Sequence, residues 1–265
     1  MYSVSVIMGV YKPDRLMLER AIDSVLNQSL QPLELIICDD DSRDGTYEFL
    51  IQKAKIEKRL RILNHDENKG LAAALNACIK IARGECIARQ DADDYSAPER
   101  FRKQISYLEA HPECAVVGSA IHMYNENGVW ATKSFKQDPC KRDFLFAIPF
   151  SHGSLVFRKE CLLRYLYRSI KRTRRTEDYE LLMRLYAGGH IGANLQEPLY
   201  YYREDKESLI RRKYRYRIDE AIVRTEGFYR LGILFFGITY IIKPLIVGLI
   251  PGSILMRMKK RYYRL

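Results

Sequence analysis

Short, continuous apolar runs alternate with helix-spaced apolar positions through residues 1–110. Val4–Val10 is an apolar run ending in Gly9-Val10-Tyr11-Lys12-Pro13, the pattern of a buried strand feeding a loop. Leu18, Ala21, Ile22, Val25 and Leu26 recur at helical spacing, which predicts an amphipathic helix over 14–27. Leu33–Cys38 reads as a second buried strand, 46–57 as a helix, Leu60–Leu63 as a third strand and Leu71–Ile79 as a strong helix stopped by Gly84-Glu85. Cys86-Ile87-Ala88 then reads as a fourth strand. Strands alternating with helices predict right-handed crossover units and a mostly parallel central sheet flanked by helices.

Further along, Ser96-Ala97-Pro98-Glu99 reads as a helix start with Ser96 as the cap. Phe101, Ile105 and Leu108 give that helix its apolar face, closed near His111-Pro112. Ala115–Met123 and Val129–Phe135 read as strands joined by a hairpin turn at Asn125-Glu126-Asn127-Gly128. A short helix is expected within 139–148, and a loop leading into a strand over Pro149–Arg158. Thr176 reads as the N-cap of a helix that places Glu177 and Asp178 in its first turn; dipole compensation alone explains acidic residues there.

From Leu231 to Ile250 the chain is almost wholly apolar, interrupted by Lys243-Pro244. Both flanks are basic: Arg211, Arg212, Lys213, Arg215 and Arg217 before, Arg257, Lys259, Lys260, Arg261 and Arg264 after. A single span would carry one basic flank across the bilayer, against the positive-inside tendency. The expectation is two short helices broken at Lys243-Pro244, lying in the interface or re-entering; a transmembrane helix is the alternative. Residues 206–230 are expected to form a basic amphipathic helix on the membrane surface. The chain thus divides into a domain over 1–205 and a membrane-associating tail over 206–265.

Hydrophobic residues make up 47% of the 265 positions, enough for a sizeable core, and the net charge is +11. Acidic partners are expected, and because the basic residues flank an apolar tail, anionic lipid is favoured and nucleic acid is not. Cys38, Cys78, Cys86, Cys114, Cys140 and Cys161 form no C-x-x-C pair and have no zinc-site spacing, so reduced structural cysteines in a cytosolic setting are expected. The N-terminal segment lacks a basic region followed by a long apolar one, so no signal peptide is expected.

The chemistry gathers at strand ends. Asp39-Asp40-Asp41 follows the second strand, and Asp91-Ala92-Asp93-Asp94 follows the fourth. Ligands in α/β sheets bind at this edge. Packed carboxylates need a cation or full solvation, and hard oxygen ligands suit Mg²⁺ or Mn²⁺ beside a diphosphate. Asn68-Lys69-Gly70, before a helix, reads either as a turn or as an anion site.

With Val4-Ser5-Val6-Ile7-Met8, Ser24-Val25-Leu26-Asn27-Gln28-Ser29, Asp39–Thr46, Asn68-Lys69-Gly70-Leu71 and Asp91–Asp94 in this order, and Thr176-Glu177-Asp178 downstream, residues 3–205 resemble the family 2 glycosyltransferases of GT-A fold. The resemblance implies a Rossmann-like, mostly parallel sheet and transfer of a sugar from a nucleotide sugar. It places Val10 and Tyr11 at the base, and Asp40 or Asp39 on a pyrimidine ring N–H. Asp91 is implied as a donor contact, Asp93 as the ligand of a divalent metal, and Lys69 as a neighbour of the diphosphate. In the implied Glu177-Asp178 motif, Asp178 is the general base. His152 and Arg184 fall in regions facing the acceptor and donor pocket, although a hydrogen-bonded loop histidine explains His152 equally well. One departure stands out: many relatives carry Arg-Asn where this chain has Leu75-Asn76, so another cation, such as Lys69, must serve the phosphates.

A single base and no nucleophilic carboxylate imply inversion. With a membrane-bound tail, the expected acceptor is a polyprenyl-diphosphate-linked saccharide at the cytoplasmic face of the plasma membrane, in assembly of a cell-surface polysaccharide. The run Lys171-Arg172-Thr173-Arg174-Arg175 fits such an acceptor, or a solvated face. The alternatives are a nucleotidyltransferase of similar fold and a catalytically silent, membrane-docked nucleotide-sugar-binding subunit. Sugar identity, a uracil or thymine base and oligomeric state are left open.

Overall fold

The computed structural model describes residues 2–204 and 214–250. Nine strands form one sheet in the order β3-β2-β1-β4-β8-β6-β9-β5, with β7 paired to β6. The strands are β1 (Val4–Val10), β2 (Glu34–Asp39), β3 (Leu60–Asn64), β4 (Cys86–Arg89), β5 (Tyr95–Ser96), β6 (Cys114–Asn125), β7 (Gly128–Lys133), β8 (Val156–Arg158) and β9 (Ile191–Arg203). β3-β2-β1-β4 is parallel throughout, whereas β8 runs antiparallel to both β4 and β6, and β5 to β9. The sheet is therefore mixed rather than mostly parallel, since only its first half is built from strand–helix–strand units.

Side chains alternate between the sheet's two faces as the strand period requires. Val4, Val6, Met8, Leu35 and Ile37 pack beneath α1 (Arg15–Leu26), α2 (Thr46–Ile56) and α4 (Arg100–Ala110). Ile7, Ile36 and Cys38 pack beneath α3 (Leu71–Ile81), α5 (Lys159–Tyr165) and α6 (Glu177–Ala187). Asp14 caps α1 by accepting the Met17 N–H at 3.0 Å. At Gly9 a Cβ would stand 2.9 Å from Leu71 Cδ1 and 3.1 Å from Ala74 Cβ, so glycine lets α3 settle directly on β1. That contact brings the start of α3 to the edge where β1 and β2 end.

Several local expectations change. Ser96 is no helix cap: it pairs with Tyr200 of β9, its hydroxyl reaches Gln90, and α4 begins at Arg100. Thr176 occupies the N-cap position of α6, but its hydroxyl donates to the Thr173 carbonyl instead. The helix expected within 139–148 is a 3-10 turn over Lys141–Leu145. The long strand β9 and the short α5 have no counterpart in the apolar pattern.

The tail forms α7 (Arg215–Leu231) and α8 (Leu234–Val247), joined through left-handed Gly232. Val223, Phe228 and Leu231 of α7 join the same core as α3, α5 and α6. A Cβ on Gly227 would collide with Met183 Sδ of α6, so glycine lets α7 pack closely against α6. The break expected at Lys243-Pro244 is absent: α8 continues through Pro244. At about 1.5 Å per residue, its 14 residues fall well short of a bilayer core of roughly 30 Å. Among the described residues no helix is long and apolar enough to cross a membrane. Phe235, Ile238, Ile242 and Ile246 of α8 are nevertheless exposed. Arg211, Arg212 and Lys213, and the basic residues from Arg257 to Arg264, lie outside the described residues.

Candidate active site

β1, β2 and β4 end together, Val10 opposite Asp39 and Ile7 opposite Arg89, so their following loops share one edge. In the loop after β2, Asp39 is buried and accepts both the hydroxyl and the backbone N–H of Ser42. Ser42 Oγ in turn accepts the Lys12 N–H at 2.9 Å, tying the β1 loop to the β2 loop. Asp40, also buried, accepts the N–H groups of Lys69 (2.9 Å) and Gly70 (2.7 Å), and its Oδ1 lies 2.7 Å from His65 Nδ1. It therefore moulds the turn that starts α3. A carboxylate has about four acceptor sites, so one remains for a ligand. Of the two aspartates, Asp40 lines the adjoining cleft.

That cleft holds about 370 Å³ and is walled by Tyr11, Asp40, Lys69, Gly70, Lys171, Arg174, Arg175, Glu177 and Tyr216. Tyr11 is half exposed, whereas Val10 is buried beneath the loop. Tyr11, Asp40, Lys69 and Glu177 are thus gathered from four separate elements. Tyr216, from α7, brings the tail into the wall.

The acidic loop after β4 is folded by polar side chains. Gln90 Nε2 donates to the carbonyls of Asp91 (3.1 Å) and Asp94 (3.0 Å), while buried Arg100 reaches Gln90, Ser96 and the Arg89 carbonyl. Tyr124 donates to the Asp93 carbonyl, and the Tyr200 hydroxyl accepts the Asp91 N–H. Asp94 Oδ1 accepts the Arg203 N–H at 2.7 Å, so Asp94 braces the loop onto β9. Burial, then the charges of Asp93 and Asp91, push the Asp94 pKa far up.

Arg89 is the residue whose part sequence reasoning missed. It is fully buried and ion-paired with Asp91, while its Nε and Nη1 lack a well-aligned acceptor. Burial alone would lower its pKa, but Asp91 and Tyr200 hold it raised. Its charge also reaches Glu177 and Asp178 at the start of α6. Asp91 and Asp178, distant in sequence, thus both lie within the influence of one buried cation. A charged residue closing an otherwise apolar strand, Ile87-Ala88-Arg89, was the available signal.

Burial, with Asp178 beside it, pushes Glu177 up to about 7. Burial also raises Asp178, opposed by the Tyr179 N–H and by Arg89. Asp93 reaches water, yet protein crowds most of its surroundings; that burial and the charge of Asp91 bring it to about 6. His152 lies 2.7 Å from the Tyr167 hydroxyl, and burial with the charge of Arg89 keeps its pKa well below the ordinary value. It is a neutral, hydrogen-bonded loop histidine close to the acid cluster. Arg184 is not brought to the cluster: its guanidinium is spent on Glu180 and on the Tyr165 and Leu166 carbonyls that end α5. Leu75 is fully buried, and Asn76 holds both backbone groups of Tyr167.

Among the described residues no three His, Cys, Asp or Glu side chains converge as a metal cage. Mg²⁺ and Mn²⁺ are commonly held by one or two carboxylates together with phosphate oxygens. Asp93 fits that mode, since it is open to solvent and its repulsion with Asp91 is relieved by a cation.

The model for Glycosyl transferase family 2 matches residues 5–181. The chain is 40% identical over 260 residues to the putative glycosyltransferase EpsE of Bacillus subtilis (strain 168), spanning 97% of this chain and 93% of that protein. It is 30% identical over 255 residues to the amylovoran biosynthesis glycosyltransferase AmsE of Erwinia amylovora, spanning 88% and 90%. S. aureus TarS 1–349 in complex with UDP-GlcNAc superposes with TM-score 0.71 at 18% identity, over 91% of this chain and 73% of that one. The mannosyltransferase PcManGT of Pyrobaculum calidifontis, in complex with GDP-Man and Mn²⁺, superposes with TM-score 0.62 at 19% identity, over 100% and 81%. The helix-flanked mixed sheet is the GT-A fold.

Proposed function

The chain belongs to glycosyl transferase family 2, and from that premise we propose that it transfers a sugar with inversion. The donor is a UDP- or dTDP-linked sugar. The acceptor is a membrane-bound saccharide on polyprenyl diphosphate, used in building a cell-surface polysaccharide. The name of the amylovoran relative supports the polysaccharide, and the UDP-GlcNAc complex of a fold neighbour supports a nucleotide-sugar donor. Residues 1–205 are the catalytic domain and 206–265 the membrane-associating tail, at the cytoplasmic face of the plasma membrane. The exposed apolar side of α8 supports that placement.

The observation that carries the reading is the convergence of Asp91, Glu177 and Asp178 around Arg89, beside the cleft walled by Tyr11, Asp40 and Lys69. The base stacks by Tyr11 above Val10, Asp40 takes its ring N–H, and Lys69 meets the diphosphate. Asp91 orients the donor sugar. Asp178 accepts the acceptor hydroxyl's proton as that oxygen attacks the anomeric carbon from the face opposite the departing nucleotide. Its raised pKa makes it a stronger base than a free carboxylate, burial being the main cause and the charge of Asp91 adding to it. Asp93 would hold a Mg²⁺ or Mn²⁺, which would supply positive charge to offset the negative charge developing on the diphosphate.

The test is Asp178→Asn, assayed by sugar transfer from a panel of nucleotide sugars to extracted lipid acceptors and by nucleotide binding. Turnover is expected to fall by about 10²-fold or more with binding preserved. Near-normal turnover would remove Asp178 from the role of base.

A further inference from the structure

The basic run Lys171–Arg175 has no part in the reaction outlined above, and its cations are exposed, yet three of them border the cleft. Lys171, Arg174 and Arg175 line the same cleft as Lys69. Arg174 Nε stands 3.8 Å from where a Cβ on Gly70 would sit, so its side chain lies against the turn that opens α3. Arg172 instead pairs with Glu226 of α7 at 2.7 Å, and Arg168 reaches Glu180 at 3.2 Å and Glu226 at 3.9 Å. The segment is thus pinned to α7 by two arginines while its other cations border the cleft.

Among the described residues the side chains of Lys69, Lys171, Arg174 and Arg175 have no carboxylate partner. The carboxylates in the cleft are Asp40, already covered by two backbone N–H groups and His65, and Glu177, whose charge burial disfavours. Positive charge is therefore in surplus. Clustered cations repel, and an anion with several charged oxygens relieves that repulsion; arginine's planar fork matches phosphate oxygens in pairs. The helix beside the cleft offers no cation at Leu75, which is sealed in the core.

We propose that Lys171, Arg174 and Arg175 form, with Lys69, a clamp for the diphosphate of the donor nucleotide, and that Glu226 of α7 holds the clamp in register. The inference rests on the nucleotide-sugar reading. The shared chemistry is a diphosphate ester, which a lipid-linked acceptor also carries. Tyr11 and Asp40 in the same walls favour the nucleotide, because they present an aromatic face and a ring N–H acceptor to a base. The tail thereby does more than anchor: it supplies Tyr216 to the cleft and Glu226 to the clamp.

The experiment is calorimetric titration of the full chain with UDP, dTDP, GDP, uridine and farnesyl diphosphate at fixed Mn²⁺ and ionic strength. Arg174→Ala and Arg175→Ala are each expected to weaken UDP about tenfold or more, as loss of one charge-assisted contact would, with uridine unchanged. Glu226→Gln is expected to weaken UDP several-fold with uridine again unchanged, and Lys80→Ala, an equal charge loss away from the cleft, is expected to bind like the parent. If the parent binds UDP and both arginine variants bind it equally well, the clamp is wrong while the donor reading stands. If the variants lose only farnesyl diphosphate, the cations serve the acceptor and the proposal fails. A parent protein that binds none of the three nucleoside diphosphates defeats the donor reading, and the clamp with it.

Discussion

Arg89→Met removes the buried cation that pairs with Asp91 and whose charge reaches Glu177 and Asp178. Arg89 is fully buried, while the Asp91 side chain keeps 28% exposure, so water screens part of the loss. Deleting one partner of a buried pair costs about 3–5 kcal/mol, and the lower end applies here. For a chain of this size about 1 kcal/mol moves the Tm by roughly 2–4 °C, so a fall of about 6–12 °C is expected. The pH dependence separates this electrostatic loss from simple cavity formation. Asp93 at about 6 and Glu177 at about 7 stand above their ordinary values, so the folded state binds extra protons. Their favourable contribution is complete below the unfolded carboxylate pKa, about 4, and is lost as pH climbs through the folded values. Without Arg89 those folded values rise further, so the deficit widens with pH. Thermal unfolding of parent and variant at about pH 5.5 and about pH 8 measures it. Arg89→Lys keeps the charge but not the planar fork and is expected to recover most of the pH dependence and only part of the Tm. A deficit of equal size at both pH values, or none, would refute Arg89 as the electrostatic centre.

Three further outcomes follow from the same geometry. Turnover at saturating donor climbs with pH along an acid limb lying above the ordinary carboxylate range, because burial raises Asp178 and its neighbour Glu177; a limb near about pH 4 would contradict this. Mn²⁺ with UDP raises the Tm more at about pH 7.5 than at about pH 5.5, because binding requires Asp93 ionised and relieves its repulsion with Asp91; an equal shift at both, measured by calorimetry, removes Asp93 as the ligand. Phe235→Glu with Phe236→Glu leaves the Tm nearly unchanged, since both side chains are exposed, and abolishes co-flotation with anionic vesicles; retained flotation would move the membrane contact off α8.

Much of the first half of the fold was legible in the sequence, because each unit there carries its own period. Val4–Val10 and Leu33–Cys38 are continuous apolar runs, and Leu18 to Leu26 is helix-spaced; each element forms within a residue or two of its pattern. The acidic clusters were legible as well, since carboxylates directly after buried strands must lie at the sheet's edge. The second half was less so. β9 mixes Tyr, Glu, Gln and Pro because its residues meet different neighbours along its length, first β6 and then also β5, so no single alternation runs through it. The tail misled for a related reason: α8 is apolar on several sides, but one side is satisfied by α7 and by the 141–146 turn, so Pro244 sits inside a packed helix rather than at a break.

The sequence by itself determined the carboxylates, their order and the family they resemble, because those depend on residue type and local period. Only the tertiary structure decided which charges meet. Arg184 is committed to the end of α5 and His152 to Tyr167, whereas Asp40 both moulds the α3 turn and lines the cleft with the 171–175 segment, and Arg89 lies buried against Asp91. Electrostatic interaction depends on distance and burial rather than on separation along the chain, so the loop after β4, with its three close aspartates, is organised by the buried arginine that precedes it and by β9 far downstream.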